Sequence, residues 1–261
     1  MASNALQVFY STIDMMIVGH FVGTPGLSAV SQSSQIVNFA TMLCFGFANA
    51  GQVLVAQAFG ARKTREANDI IGTLTGFVLA FSLVISAIIL IFTRPILSAI
   101  NIPQESEEMA VDYLVICTAG LVFTAGYNLV SAVLRGMGDA KSPFLFIGIA
   151  SVVNLLLDLL FTGLLGWGVA GAAWATIIGQ AVSFIFSLFY LYRKRAFFGF
   201  DFKPESFIPR KKYIAMIASL GTPMAIQSGF INVSMLFVNA MINDIGVVDY
   251  DFVRCSSFCN K

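Results

Sequence analysis

Long apolar runs alternate with short polar breaks along the chain, and their lengths predict membrane-spanning helices. The runs cover roughly residues 5–22, 27–59, 70–91, 113–134, 143–165, 168–192 and 214–242. A helix rising 1.5 Å per residue needs about 20 residues to cross the hydrocarbon core. The first run is short and reads as a helix that begins late; the second is long enough that it must tilt, bend or project beyond the bilayer. Gly23, Thr24, Pro25 and Gly26 punctuate one break, and Gly166, Trp167 and Gly168 another. Glu105, Glu107, Glu108 and Asp112 fall between the third and fourth runs and read as an acidic link.

The polar residues inside the runs are patterned. Gln35, Asn38, Asn49 and Gln52, with Met42 and Phe45 between them, follow alternating steps of three and four and share one helical face. Unsatisfied amides facing lipid cost several kcal/mol each, so this face is expected to point inward. Interhelical hydrogen bonding and the wall of a polar cavity both remain open as its purpose. In the sixth run Gly168, Ala172, Ala175 and Gly179 form a small-residue stripe that lets a neighbouring helix come close. In the fifth, Asn154 and Asp158 stand one turn apart on one face. Of the fourteen acidic residues, Asp14 and Asp158 are the two that fall well inside apolar runs. A carboxylate at such depth is costly as a bare charge and by default marks an ion or substrate path. Packing alone, with the carboxyls as hydrogen-bonded glue between helices, is the competing reading.

Composition agrees with the pattern. Hydrophobic residues make up 57% of the 261, charged residues only 11%, and 25 are phenylalanine; mean hydropathy is +0.83. These values exclude an ordinary soluble domain and imply an all-α polytopic membrane protein. Twelve of the fifteen lysines and arginines lie in the breaks after the second, fourth and sixth runs: Arg62, Lys63 and Arg65; Arg135 and Lys141; and seven between Arg193 and Lys212. The breaks after the first, third and fifth hold only Arg94. By the positive-inside rule the basic set and the N-terminus are cytoplasmic and the acidic link is outside, as for a multi-pass protein of the cytoplasmic membrane. Cys44 and Cys117 lie in apolar runs and Cys255 and Cys259 in the polar tail; with His20 as the single histidine they make no zinc pattern. No nucleophile elbow or phosphate-cradling loop is present, so enzymatic readings have little support and no cofactor or nucleic-acid partner is expected.

A faint repeat aligns the stretch from Gln7 to Val18 with that from Gln227 to Val238, with Ser234 in the place of Asp14. It suggests that the seventh run restarts the pattern of the first. The expected organisation is a six-helix lobe over residues 1–192, a basic cytoplasmic loop over 193–212, the first helix of a second lobe over 213–246 and a polar tail over 247–261. The tail reads as the ending of a truncated product.

Five segments carry a resemblance: Asp14-Met-Met-Ile-Val18-Gly19, Val55-Ala-Gln-Ala-Phe-Gly60-Ala, Arg135-Gly-Met-Gly138-Asp139-Ala-Lys-Ser-Pro143, Asn154-Leu-Leu-Leu-Asp158 and Gly168-Val-Ala-Gly171-Ala-Ala-Trp-Ala-Thr176. In this order they resemble the multidrug and toxic compound extrusion (MATE) family of efflux transporters. The resemblance implies two six-helix lobes and export of organic cations and amphipathic drugs against inward Na+ or H+. It also implies that Asp14, Asn154, Asp158 and Thr176 hold the coupling ion, Na+ if not H+. Gln35, Asn38, Tyr127, Asn128 and Ser131 are candidates for the substrate cavity, with core packing as the alternative. Expected partners are the bilayer, a small-molecule substrate, and a missing second lobe or a dimer partner. A lipid-linked oligosaccharide flippase is disfavoured because no lysine or arginine lies mid-span; a non-transporting membrane scaffold would be indifferent to neutralising Asp158.

Overall fold

The structure is a computed structural model and describes residues 2–100, 102, 104–194, 210–227 and 229–230. Every regular element among them is helical: α1 (Ala2–Phe21), α2 (Thr24–Gly60), α3 (Thr64–Ile91), α4 (Thr93–Ala99), α5 (Gln104–Ala119), α6 (Leu121–Gly136), α7 (Lys141–Asp158) and α8 (Gly168–Arg193). A π-helical segment, Leu159–Leu164, prolongs α7, and residues 211–227 form α9. α2, α3, α7 with its extension, and α8 are each long and apolar enough to cross a membrane. The pair α5 and α6, bent by 44°, is long and apolar enough for a fifth when counted as one broken span, and α1 adds a shorter apolar stretch, Thr12–Phe21. Four to five helices of spanning length thus stand where six spans were expected for the lobe, with α1 the shorter sixth.

Several boundaries differ from the sequence reading. The acidic stretch is not a link: α5 begins at Gln104, with Glu105 and Glu107 in its first turn, where carboxylates complement the helix dipole. The fourth span consequently starts well before Tyr113, and it breaks at Gly120. A Cβ at Gly120 would come within 2.4 Å of Ile177 on α8, so the break sits where the two elements touch. α3 starts at Thr64 rather than near Ile70, and a short helix, α4, follows it. The seventh run is described only as far as Phe230; Ser234, the 247–261 tail, Cys255 and Cys259 lie outside the described residues.

α2 is the central strut, lying against α3, α5 and α6, while α8 lies against α5, α6 and α7, and α1 lies chiefly against α7. The outer faces carry exposed apolar side chains at helical spacing: Leu145, Ile149, Val152 and Leu156 on α7, and Ile185 and Phe189 on α8. These are the positions that meet lipid. With lipid as apolar as leucine, the helices are held by close packing and by polar contacts rather than by flight from water. The small-residue stripe of α8 shows the first: Ala172 and Ala175 are fully buried, and a Cβ at Gly179 would stand 3.1 Å from the Asn154 Cβ and 3.2 Å from the Ala150 carbonyl. α9 packs on the lobe through Tyr213, Ile217 and Ala225, which join the cluster containing Phe47 and Leu74. At Gly46 the approach is backbone to backbone, since a Cβ there would lie 2.5 Å from the Ala225 Cα.

Candidate functional site

Asp14 on α1, Asn154 and Asp158 on α7, and Thr176 on α8 sit on three helices that pack against one another. Helical spacing puts Asn154 and Asp158 on one face of α7, and the absence of a side chain at Gly179 draws α8 onto that face. Asp14, Asn154 and Asp158 are buried, with 7%, 4% and 1% exposure. The carboxyls of Asp14 and Asp158 are near enough to each other to interact. Two bare carboxylates so close would repel each other, which a proton or a cation between them would relieve.

Uncommitted polar atoms concentrate here. Among the described residues, seven buried side-chain nitrogens and oxygens have no hydrogen-bond partner. Five of the seven belong to these four residues: one oxygen of Asp14, both oxygens of Asp158, the Asn154 amide nitrogen and the Thr176 hydroxyl. Buried polar groups are normally paired, so this clustering is a property of the site and not of the lobe at large. Asn154 and Thr176 also line a small cavity with Ser151 and Gln180.

Two surrounding features escaped the sequence reading. The π-helical turn begins at Leu159, directly after Asp158, and Leu165 donates its N–H to the Leu160 carbonyl five residues back. Such wide turns recur at functional sites because they re-aim the side chains beside them; no residue type in the run announces one. On α5, Tyr113 and Cys117 stand one turn apart and share a buried cluster with Val18 of α1 and with Val169 and Ala172 of α8. They wall the Asp14 side of the site, and their i, i+4 spacing within an apolar run was the available signal.

The five cavity candidates are not brought together. Gln35 and Asn38 lie exposed on α2, and Asn49 and Gln52 are half-buried. The polar face of α2 therefore lies at the surface of the described lobe rather than inside it, because α3, α5 and α6 pack on its other sides. Gln52 is held by Arg135, whose Nε donates to its Oε1 over 3.0 Å. Tyr127 and Ser131, four apart on α6, are buried within the lobe, and the Tyr127 hydroxyl donates to the Pro143 carbonyl over 3.0 Å. Asn128, one residue round the helix, is half-buried.

The loop from α6 to α7 has its own anchor. Asp139 accepts from the Ser142 N–H (3.0 Å), the Ser142 hydroxyl (2.7 Å) and the Tyr190 hydroxyl of α8 (2.8 Å). Burial works against its charge. The hydrogen bonds from Ser142, Tyr190 and the Lys141 backbone outweigh that effect and hold the carboxyl below its ordinary range. Cys44 and Cys117 are free and buried, as expected of small hydrophobes.

The chain is 31% identical over 248 residues to the "Probable multidrug resistance protein YpnP" of Bacillus subtilis, covering 94% of this chain and 54% of that protein. It is 26% identical over 250 residues to the "Multidrug export protein MepA" of Staphylococcus haemolyticus, covering 94% and 54%. Among solved structures it superposes on the outward-facing conformation of a multidrug resistance MATE family transporter with a TM-score of 0.84 at 25% identity. That alignment covers 92% of this chain and 53% of the other. On an inward-facing conformation of a multidrug resistance MATE family transporter it superposes with a TM-score of 0.81 at 26% identity, covering 89% and 52%. The chain spans about half the length of the relatives it matches. Residues 1–160 match the MatE family model, and the chain belongs to that family of multi-pass membrane transporters.

Proposed function

We propose that this chain supplies the ion-coupling lobe of a cation-coupled exporter of organic cations and amphipathic drugs. The observation that carries the reading is the buried, interacting pair Asp14 and Asp158, which together with Asn154 and Thr176 holds most of the unpartnered buried polar atoms among the described residues. The donor set suits a small alkali cation, because the carboxyl and hydroxyl oxygens are hard ligands and the Asn154 amide can turn its oxygen inward. It also suits a proton, which the two carboxyls would share. Either ion is cargo, taken up on one side and released on the other. The exposed polar face of α2, with Gln35 and Asn38, is the surface turned toward a second lobe or a partner copy, and the drug passes along it.

In this reading residues 1–192 are the lobe, the basic loop over 193–212 and the N-terminus are cytoplasmic, residues 213–246 open a second lobe, and residues 247–261 form the tail. Ion binding stabilises one arrangement of α1 against α7 and α8, and loss of the ion releases it, which couples the ion gradient to drug release. The test is efflux of a fluorescent lipophilic cation from proteoliposomes under an imposed Na+ or H+ gradient, comparing the chain with its Asp158→Asn form. Gradient-driven efflux lost in the variant supports the role of Asp158; equal coupled efflux from both removes it.

A further inference from the structure

Where α3 and α9 begin, four cations converge on one groove. Lys63, Arg65, Arg210 and Lys212 line a cavity of about 540 Å³ together with Glu66, Asp69 and Tyr213. Both acids are already matched, Glu66 by Lys63 at 3.2 Å and Asp69 by Arg210 at 2.8 Å. Arg65 and Lys212 are therefore surplus, and among the described residues four cations against two carboxylates leave the groove two positive charges in excess.

Its position sets the kind of anion it fits. α3 enters its membrane-length run at Thr64, so the groove lies at the end of a span, at headgroup level. Tyr213, with an apolar ring and a polar hydroxyl, is a residue of that boundary, and the Lys212 ammonium stands 5.5 Å from its ring centre. Stepping along α9 from Lys212 by single turns reaches Met216 and then Leu220, 37% and 39% exposed and on the same face. A cationic head thus leads into an apolar track. Free phosphate would use the first and have no need of the second; a phospholipid uses both.

We propose that this groove binds the phosphate-bearing headgroup of an anionic phospholipid through Arg65, Arg210, Lys212 and Lys63, with an acyl chain lying along Met216 and Leu220. Basic pockets between helix ends bind such headgroups, each cation near the surface adding to the attraction. The bound lipid bridges α3 and α9, the helices on either side of the groove, and it does so independently of the carboxyl site at Asp14 and Asp158.

The test is native mass spectrometry of the purified chain in detergent, titrated with phosphatidylglycerol or with phosphatidylcholine of the same acyl chains. The anionic lipid is expected to bind at least about fivefold better, and Arg65→Gln combined with Lys212→Gln to weaken it roughly tenfold. Both positions are exposed, and a charge-matched control, Lys141→Gln with Arg193→Gln, is expected to change nothing. Equal binding of the two lipids overturns the proposal, as does a groove variant that binds like the parent. An equal loss in the control would mean unspecific attraction, and full displacement of the lipid by inorganic phosphate would mean a site for free anions; either rejects a lipid site.

Discussion

Arg210, at the start of α9, donates across 2.8 Å to Asp69 in the second turn of α3. The Asp69 side chain is only 9% exposed and that of Arg210 is 48% exposed, so one partner is inside and the other at the surface. Thr73 closes the corner: its hydroxyl donates to the Asp69 carbonyl over 2.7 Å and accepts from the Arg210 N–H at 3.3 Å. Removing one partner of a fully buried pair costs about 3–5 kcal/mol, and solvent at the arginine reduces that here. Arg210→Ala is expected to lower stability by roughly 1–2 kcal/mol. Chemical denaturation in detergent, run as a double-mutant cycle with Asp69→Asn, would show a coupling of that size; additive effects would refute it.

At the carboxyl pair, stability should report the ion. A ligand at ten times its dissociation constant stabilises the folded state by about 1.4 kcal/mol. If the uncommitted oxygens of Asp14, Asp158 and Thr176 receive Na+, the melting temperature of the purified chain rises with Na+ and stays flat with choline. Asp158→Asn is expected to fold and to lose this response. A Na+-dependent rise that persists in the variant would place the ion elsewhere.

Packing of α8 on α7 depends on the missing side chain at Gly179. A methyl group there would meet the Asn154 Cβ at 3.1 Å and the Ala150 carbonyl at 3.2 Å, so alanine displaces its neighbours by a few tenths of an ångström. Valine cannot be seated that way. Gly179→Val is expected to cost roughly 1–3 kcal/mol and to weaken the Na+ response, because it pushes on the residue that carries the Asn154 amide. Thermal melts of the Ala and Val forms, with and without Na+, check the ordering.

Asp139 predicts a pH dependence. Its carboxyl is held below the ordinary range, so it contributes stability that is present above the unfolded value of about 3.9 and is lost as the pH falls through the lower folded-state value. Melting temperature should therefore drop on acidification below about pH 4. The Asp139→Asn form should start lower and drop less over the same interval. Parallel curves for the two proteins would exclude this carboxyl as the source.

Much of the architecture was legible because membrane helices announce themselves by run length and by the charges that flank them. The depth of Asp14 and Asp158, and the turn that separates Asn154 from Asp158, could be read from spacing, and the structure brings all three together with Thr176. Other features resisted for physical reasons. The first turns of α5 are acidic and look like a loop, yet carboxylates at a helix start are favourable. The wide turn after Asp158 is a change of hydrogen-bond register, which composition does not encode. The cavity candidates are divided between the interior and the surface of the lobe. Residue type marked Tyr127 and Ser131 as candidates, but it could not say that they are packed inside the lobe while Gln35 and Asn38 are left at its surface.

The contact between Gly46 and Ala225 has a mechanical corollary. Where two helices touch through backbone atoms there is no side-chain layer to shear, so α2 and α9 cannot slide past one another at that level without first coming apart. Gly221, one turn before Ala225, makes room for the Phe47 ring by its missing side chain and tightens the same seam. If the molecule rocks between two shapes, the pivot must then lie beyond this seam, and the beginning of the seventh helix travels as a passenger of the first lobe.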